Sequence, residues 1–343
     1  MVVNKFLGEF RERNFIKNIK KQRLAAKGFG GLMENSKKPK VIIICGPTGI
    51  GKTTLSLCLA QEFNGWIIGA DSMQIYKFMD IGTAKPSDEE RSRVPHYMID
   101  IVNPDESYDA ARYAREGREA ILHICDHGRT PFVVGGTGFY IKALLHGLCE
   151  ANPADSIVRE KLKQEADIRG KKWLYDRLIQ CDPNAAAHIH CNDVYRLIRA
   201  LEIYEITGIP MSEYQRQHGF NDHPFEVLKI GLSLDRQALY NRINERVNQM
   251  ISQGLLNEVK TLLKMGYTQA LKSMQAIGYR HMMDYIDGRL GWEEAVSTLM
   301  KDTRRYAKRQ LTWFKKDREI IWKTTDFQDD IQEVIRLFIG AGK

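Results

Sequence analysis

No apolar run in this 343-residue sequence approaches the ~20 residues of a membrane span, which excludes a transmembrane helix. None of the six cysteines forms a CxxC pair; Cys45, Cys58, Cys125, Cys149, Cys181 and Cys191 are scattered, mostly in apolar patterns. That distribution excludes a disulfide framework and predicts reduced core thiols in a cytoplasmic protein. His188, His190 and Cys191 stand close together without a second Cys/His pair, so no zinc site is expected. A secretory signal is excluded because the N-terminal stretch lacks an apolar core. Most of the chain also lacks a charge excess. Residues 1–40 carry eleven Lys/Arg against three Glu, which accounts for the whole net charge of +8. Basic surface elsewhere must therefore come from clustering. The densest cluster is 301–318, with eight Lys/Arg against Asp302 and Asp317.

What is present is organised around one signal. Val41-Ile42-Ile43-Ile44-Cys45 runs into Gly46-Pro47-Thr48-Gly49-Ile50-Gly51-Lys52-Thr53, which fits the G-x-x-x-x-G-K-[ST] pattern. The apolar run predicts a buried strand, and 54–60 has helical character. Glycines let the backbone wrap a phosphate, and N–H groups at the helix start point at the anion. Lys52 adds a point charge, and Thr53 offers a hydroxyl to a phosphate oxygen or to Mg²⁺. A di- or triphosphate is thus expected here, with its fate left open.

Short β-type runs alternate with helical patterns on both sides of this loop. Strands are predicted at 41–45, 66–70, 97–101, 131–134 and 227–234, with 320–322 as a candidate last strand. Helices are predicted at 108–127, 236–265, 274–288 and 292–316. The alternation predicts an α/β fold, a P-loop NTPase-like parallel sheet with helices on both faces. Ligands collect at the carboxyl ends of such strands, where 46–53, Asp71 and 135–138 all fall. Between 144 and 222 the β signal vanishes, which predicts a helical insertion domain. The core is then 39–143 with 223–343. Residues 1–38 read as a flexible basic arm; Glu9, Glu12 and the many lysines argue against a transit peptide.

Several side chains have the chemistry to work at this site. Asp71 opens Asp71-Ser72-Met73-Gln74-Ile75-Tyr76 and suits a Mg²⁺-holding acid, a general base or a plain turn aspartate. Arg242 and Arg246 share a helix face, aimed at a diphosphate or at solvent. Arg196 and Arg199 follow Asp193 on one helix. Arg304, Arg305, Lys308 and Arg309 lie on another, followed by Gln310, Trp313 and Phe314. Cations interleaved with rings suit nucleic acid, with charges for phosphates and faces for bases.

Together these segments resemble the tRNA dimethylallyltransferases, also called tRNA isopentenyltransferases, of bacterial type. The matching motifs are 46–53, 71–76, Asp80–Pro86, Pro95-His96, Val134–Tyr140, Asp193 with Arg196 and Arg199, Ala276–Arg280 and Thr303–Phe314, in family order over about 40–316. The zinc-finger tail of eukaryotic members has no counterpart. The resemblance implies transfer of dimethylallyl from dimethylallyl diphosphate to N6 of adenine 37 in the tRNA anticodon stem-loop, in tRNAs reading codons that begin with U. It implies Mg²⁺ as cofactor, Asp71, Lys52 and Thr53 as catalytic residues, and 46–53 with Arg246 as the diphosphate or nucleotide (ATP) site. Thr53 is the implied metal contact. It further implies tRNA contacts at Asp71, Ser72, Met73, Gln74, Thr137, Arg159, Tyr195, Arg196, Leu197, Ile198, Arg199, Tyr279, Arg280, Lys308, Arg309, Gln310 and Trp313, and a monomer. Rival readings are an isopentenyltransferase for free adenine nucleotides, a P-loop kinase and a non-catalytic nucleic-acid-binding ATPase.

Overall fold

The computed structural model describes residues 38–148, 155–218, 222–324 and 328–340; the expected basic arm lies outside them apart from Lys38. Val41 to Cys45 are at most 1% exposed. A strand apolar on both faces belongs in the middle of a parallel sheet covered on both sides. This strand, β1 (Lys40–Cys45), is indeed central. In chain order there follow α1 (Lys52–Glu62), β2 (Gly65–Ala70), α2 (Asp88–Arg93), β3 (His96–Tyr97), α3 (Ala110–Asp126), β4 (Thr130–Gly135) and α4 (Gly138–His146). The sheet resumes at β5 (Glu226–Ser233) and ends at β6 (Ile321–Thr324), and its order is β3-β2-β4-β1-β5-β6, all parallel. One apolar cluster covers each face. The loops after β1, β2 and β4 therefore open at one edge of the sheet.

Between the two parts of the sheet lie α5 (Ser156–Arg169), α6 (Lys171–Cys181), α7 (Pro183–His188), α8 (Val194–Thr207) and α9 (Met211–His218). They enclose their own core around Leu162, Leu174, Leu178, Leu197 and Leu201. Leu144 and Leu145, expected to start this helical stretch, instead finish α4 and are buried in the sheet's core. After β5 come α10 (Arg236–Ser252), α11 (Leu255–Lys264), α12 (Tyr279–Ile286) and α13 (Trp292–Phe314), with α14 (Gln328–Ile339) after β6. No helix among the described residues is long and apolar enough to cross a membrane.

Three expected elements differ in the structure. The strand at 97–101 ends at Tyr97, because Met98 (φ 62°) and Asp100 (φ 56°) turn the chain out of extended geometry. The helix expected over 236–265 is two, divided at Gly254, whose φ of 96° no helix accommodates. The helix expected from 274 begins only at Tyr279. Helix α14 carries no expectation from the sequence.

The turn at Asp100 has a purpose in the wall of the site. Asp100 takes Lys85 Nζ at 2.5 Å and Arg91 at 2.6 Å, and Lys85 also reaches Asp80 at 2.6 Å. The 80–86 loop is anchored from its other side by Glu258 on α11. That carboxylate accepts the N–H groups of Asp80, Ile81 and Gly82 at 3.0, 2.8 and 3.1 Å, and the Tyr279 hydroxyl at 2.6 Å. Three N–H groups lose their acceptor if the carboxylate is removed. Glu258→Ala is expected to lower stability by about 1–3 kcal/mol, and Tyr279→Phe by about 0.5–1.5 kcal/mol. Thermal unfolding checks this; equal melting temperatures for wild type and Glu258→Ala would remove Glu258 as the anchor.

Candidate active site

The loop from Gly46 to Gly51 owes its shape to left-handed backbone that glycine supplies. Gly46, Gly49 and Gly51 have φ of 151°, 78° and 98°. At Gly49 a Cβ would also stand 2.9 Å from Ile243 Cγ1, so α10 packs where a side chain would be. Helix α1 starts at Lys52, and its cap at Gly51 makes no side-chain bond to the first turn. Its leading N–H groups are thus left for an anion. Lys52 Nζ donates to Gly46 O at 3.0 Å and Pro47 O at 2.8 Å, folded back over the loop.

The loop forms one side of a cleft of about 390 Å³. Thr48, Gly49, Lys52, Thr53, Asp71, Gln74, Arg242, Arg246 and Gln310 line it, so most of the expected anion-binding set converges. Burial, with the Arg246 guanidinium nearby, brings the Lys52 ammonium down to about 8, while Asp71 pulls it the other way. Burial likewise lowers Arg246, again opposed by Asp71. Arg242 reaches back to Ile50 O at 3.4 Å.

Asp71 sits at the end of β2 in an aspartate turn. One oxygen accepts the N–H of Met73 at 2.8 Å and of Gln74 at 3.4 Å, leaving the second without a hydrogen bond among the described residues. One oxygen thus fixes the carboxylate in its turn, and the carboxylate lines the cleft. Thr137 Oγ1 accepts the Ser72 N–H at 3.1 Å, which ties the β2 and β4 loops together. Gln74 Nε2 is spent on Thr83 O and Ala84 O at 3.1 and 3.2 Å. The cleft also takes in Glu245, Gln249 and His96, to which the sequence reading gave no role.

Helix α13 supplies a basic and aromatic rim. Lys308 and Arg309 are exposed, and Arg309 lies over the Tyr306 ring at 5.7 Å. Trp313 is 40% exposed and meets the 45% exposed Phe139 edge-on, centroids 6.3 Å apart. Two more cations of the cluster have side-chain partners. Arg304 bonds Asn244 at 2.6 Å, while Arg280 and Arg305 share Asp302. Burial opposes ionisation of Asp302, but Arg280, Arg305 and His281 together hold it below the usual carboxylate range.

A second cleft, of about 260 Å³, lies on the helical module between Arg159, Lys163, Tyr195, Ile198 and Arg199. Arg159 and Arg199 both bond the fully buried Glu202, at 2.8 and 2.9 Å, and Tyr195 is 71% exposed. Arg196 pairs with Asp193 at 3.3 Å. Four residues of the expected nucleic-acid set have buried side chains. Leu197 and Tyr279 are 0% exposed and Ile198 6%, so their side chains fill cores. Gln310 is 5% exposed and is committed to Thr48 N–H and Gly136 O, both at 2.9 Å. Tyr306, Gln310 and Trp313 recur at helical spacing and share one face of α13.

Residues 74–317 match the IPP transferase family, and residues 39–103 match the isopentenyl transferase family. The chain belongs to the IPP transferase family. Members of curated standing are close in sequence. A tRNA dimethylallyltransferase of Desulfosudis oleivorans is 50% identical over 89% of this chain and 98% of its own. One of Geobacter sulfurreducens is 50% identical over 88% and 98%. Among solved structures, the tRNA isopentenylpyrophosphate transferase of Bacillus halodurans is 42% identical, with a TM-score of 0.65 over 89% of this chain and 96% of that one. A eukaryotic dimethylallyltransferase described as acting on tRNA is 32% identical, with a TM-score of 0.72 over 87% and 77%.

The lowered Lys52 pKa gives the IPP transferase loop a pH signature. A buried cation with pKa near 8, against 10.5 when unfolded, costs stability while charged; the cost fades as pH rises from about 8 towards 10.5. An anion at the loop favours the charged form. Diphosphate affinity is therefore expected to fall, by up to about tenfold per pH unit, as pH rises above 8. Calorimetry at pH 8 in two buffers should show proton uptake beyond that of Lys52→Ala, a comparison that cancels the ligand's own titration. Equal uptake by the two proteins would refute the assignment.

Proposed function

We propose that this chain transfers the dimethylallyl group from dimethylallyl diphosphate to N6 of adenine 37 of tRNA, beside the anticodon, and releases diphosphate. One observation carries the reading: a phosphate loop with two inward cations and the carboxylate of Asp71 share one cleft, rimmed by a basic and aromatic helix. The names of the curated relatives and the eukaryotic enzyme described as acting on tRNA support the reaction and the acceptor. A kinase would use the loop but has no need of the rim. The tRNAs expected are those reading codons that begin with U, and the enzyme is taken as a cytoplasmic monomer.

The chemistry follows from the charges. The carbon–oxygen bond to diphosphate breaks as N6 bonds to the same carbon. Diphosphate leaves with the electron pair, and the N6 proton passes to Asp71. Negative charge grows on the diphosphate, where loop N–H groups, Lys52 and Arg246 meet it out of bulk water. The exocyclic amine is a poor nucleophile, so removing its proton as the bond forms lowers the barrier. The adenine must leave its stack to enter, which costs less in a single-stranded loop; Phe139 and Trp313 offer ring surface at the rim.

Mg²⁺ fits the donor set. No group of three or more His, Cys, Asp or Glu that could hold a metal occurs among the described residues. Mg²⁺ takes few protein ligands, keeps water and uses phosphate oxygens. Thr53 would hold it together with phosphate oxygens, and bound there it would neutralise charge on the leaving group.

The direct test is to incubate the chain with labelled dimethylallyl diphosphate and tRNA, AMP or ATP. Label is expected in tRNA alone; label in AMP or ATP would favour a free-nucleotide enzyme. Lys52→Ala is expected to cost about 10²–10³ in rate. Asp71→Asn is expected to bind both substrates and lose about 10²–10⁴ in kcat. Recovery of that variant in excess Mg²⁺ would make Asp71 a metal holder rather than the base.

A second test concerns the rim. Lys308→Ala with Arg309→Ala removes two cations, each worth roughly 0.7–0.9 in the salt slope of RNA binding. The double variant should raise KM for tRNA and flatten the salt dependence, with affinity for dimethylallyl diphosphate unchanged. An unaltered salt slope would move the RNA elsewhere.

A further inference from the structure

We infer that Gln310 is a positioning residue that ties the anion loop to the nucleic-acid rim, so that RNA held on α13 strengthens diphosphate binding. This rests on the proposed pair of ligands. Gln310 reaches both sides of the sheet's ligand edge. Its Oε1 accepts the Thr48 N–H at 2.9 Å, in the loop after β1. Its Nε2 donates to Gly136 O at 2.9 Å, in the loop after β4. Gly136 makes room for this: a Cβ there would stand 2.1 Å from Nε2.

The same helical turns carry Lys308, Arg309 and Trp313 at the surface, and a Cβ on Gly138 would stand 2.1 Å from Trp313 Cδ1. Gln310 and Trp313 are thus packed against 136–139, with Gln310 extending the contact to Thr48. RNA clamped on Lys308, Arg309 and Trp313 restricts these turns. Gln310 and the loop it holds then have less freedom to lose when an anion binds. Two ligands that order the same element assist each other, and by linkage the effect is reciprocal. A single such element corresponds to a coupling of roughly five- to tenfold.

The full chain is titrated with inorganic diphosphate, with and without saturating anticodon stem-loop RNA. Wild type should bind diphosphate roughly five- to tenfold tighter with RNA present. Gln310→Met keeps the length of the side chain but makes neither hydrogen bond. Its coupling factor should fall to about 1, with RNA affinity alone changed less than about twofold. Coupling that persists in Gln310→Met overturns the inference. So does wild type that binds both ligands without coupling, an outcome that leaves the transfer reading intact. RNA affinity in Gln310→Met reduced as far as in the Lys308→Ala/Arg309→Ala variant would make Gln310 a direct RNA contact instead. Wild type that binds no RNA overturns both readings. If Gln310→Met does not fold, Gln310→Glu decides, since it keeps the acceptor for Thr48 N–H but sets an oxygen against Gly136 O; loss of coupling is expected there too.

Discussion

Charge balance in a partly closed cleft is the constraint on which the site depends. Lys52 and Arg246 are both depressed by burial and have Asp71 as their opposing carboxylate. Holding two cations together out of water is unfavourable unless something negative arrives. The fold tolerates this because a parallel sheet and its helices hold the groups in place: α1 starts at Lys52, α10 carries Arg246, and β2 ends just before Asp71. An anion bound between the two cations would relieve that cost. In the proposed transfer the same attraction would act on the leaving diphosphate, preorganised before it binds.

The parts legible in the sequence were those with local causes. An unbroken apolar run followed by 46–53 announces strand, loop and helix together, and the structure has all three. The alternation of strands and helices was legible for the same reason. Side-chain direction was not. Tyr279 sits in a family motif, but Glu258 draws its hydroxyl inward and the ring closes on Gly82. Glu258 itself left no trace, because its partners are backbone N–H groups 176 to 178 residues away. Backbone carries no residue identity, so such a contact is invisible in a single sequence. Likewise, nothing local foretold the end of β3 at Tyr97, since the turn at Asp100 answers to Lys85 and Arg91.

The helical module shows how a surface charge can be given a rigid base. Glu202, fully buried, takes Arg159, Arg199 and the Asp155 N–H. Every bond converges on one carboxylate, so the two guanidinium groups are held in orientation while their remaining surface stays at the second cleft. Replacing that carboxylate with an apolar residue would remove the ion pair that Arg159 and Arg199 share. The module has a buried core of its own beneath this arrangement.

The closure of the phosphate loop by Gln310 joins positions 262 residues apart. A ribosome making roughly 5–20 residues per second spends about 13–50 s between the two. Throughout that interval the nascent chain has its phosphate loop but neither the strap that fixes it nor the rim beside it. Chain order thus sets a delay: the residue that straps the loop is made 262 residues after it, and a product terminated before α13 lacks the face on which that helix presents its cations.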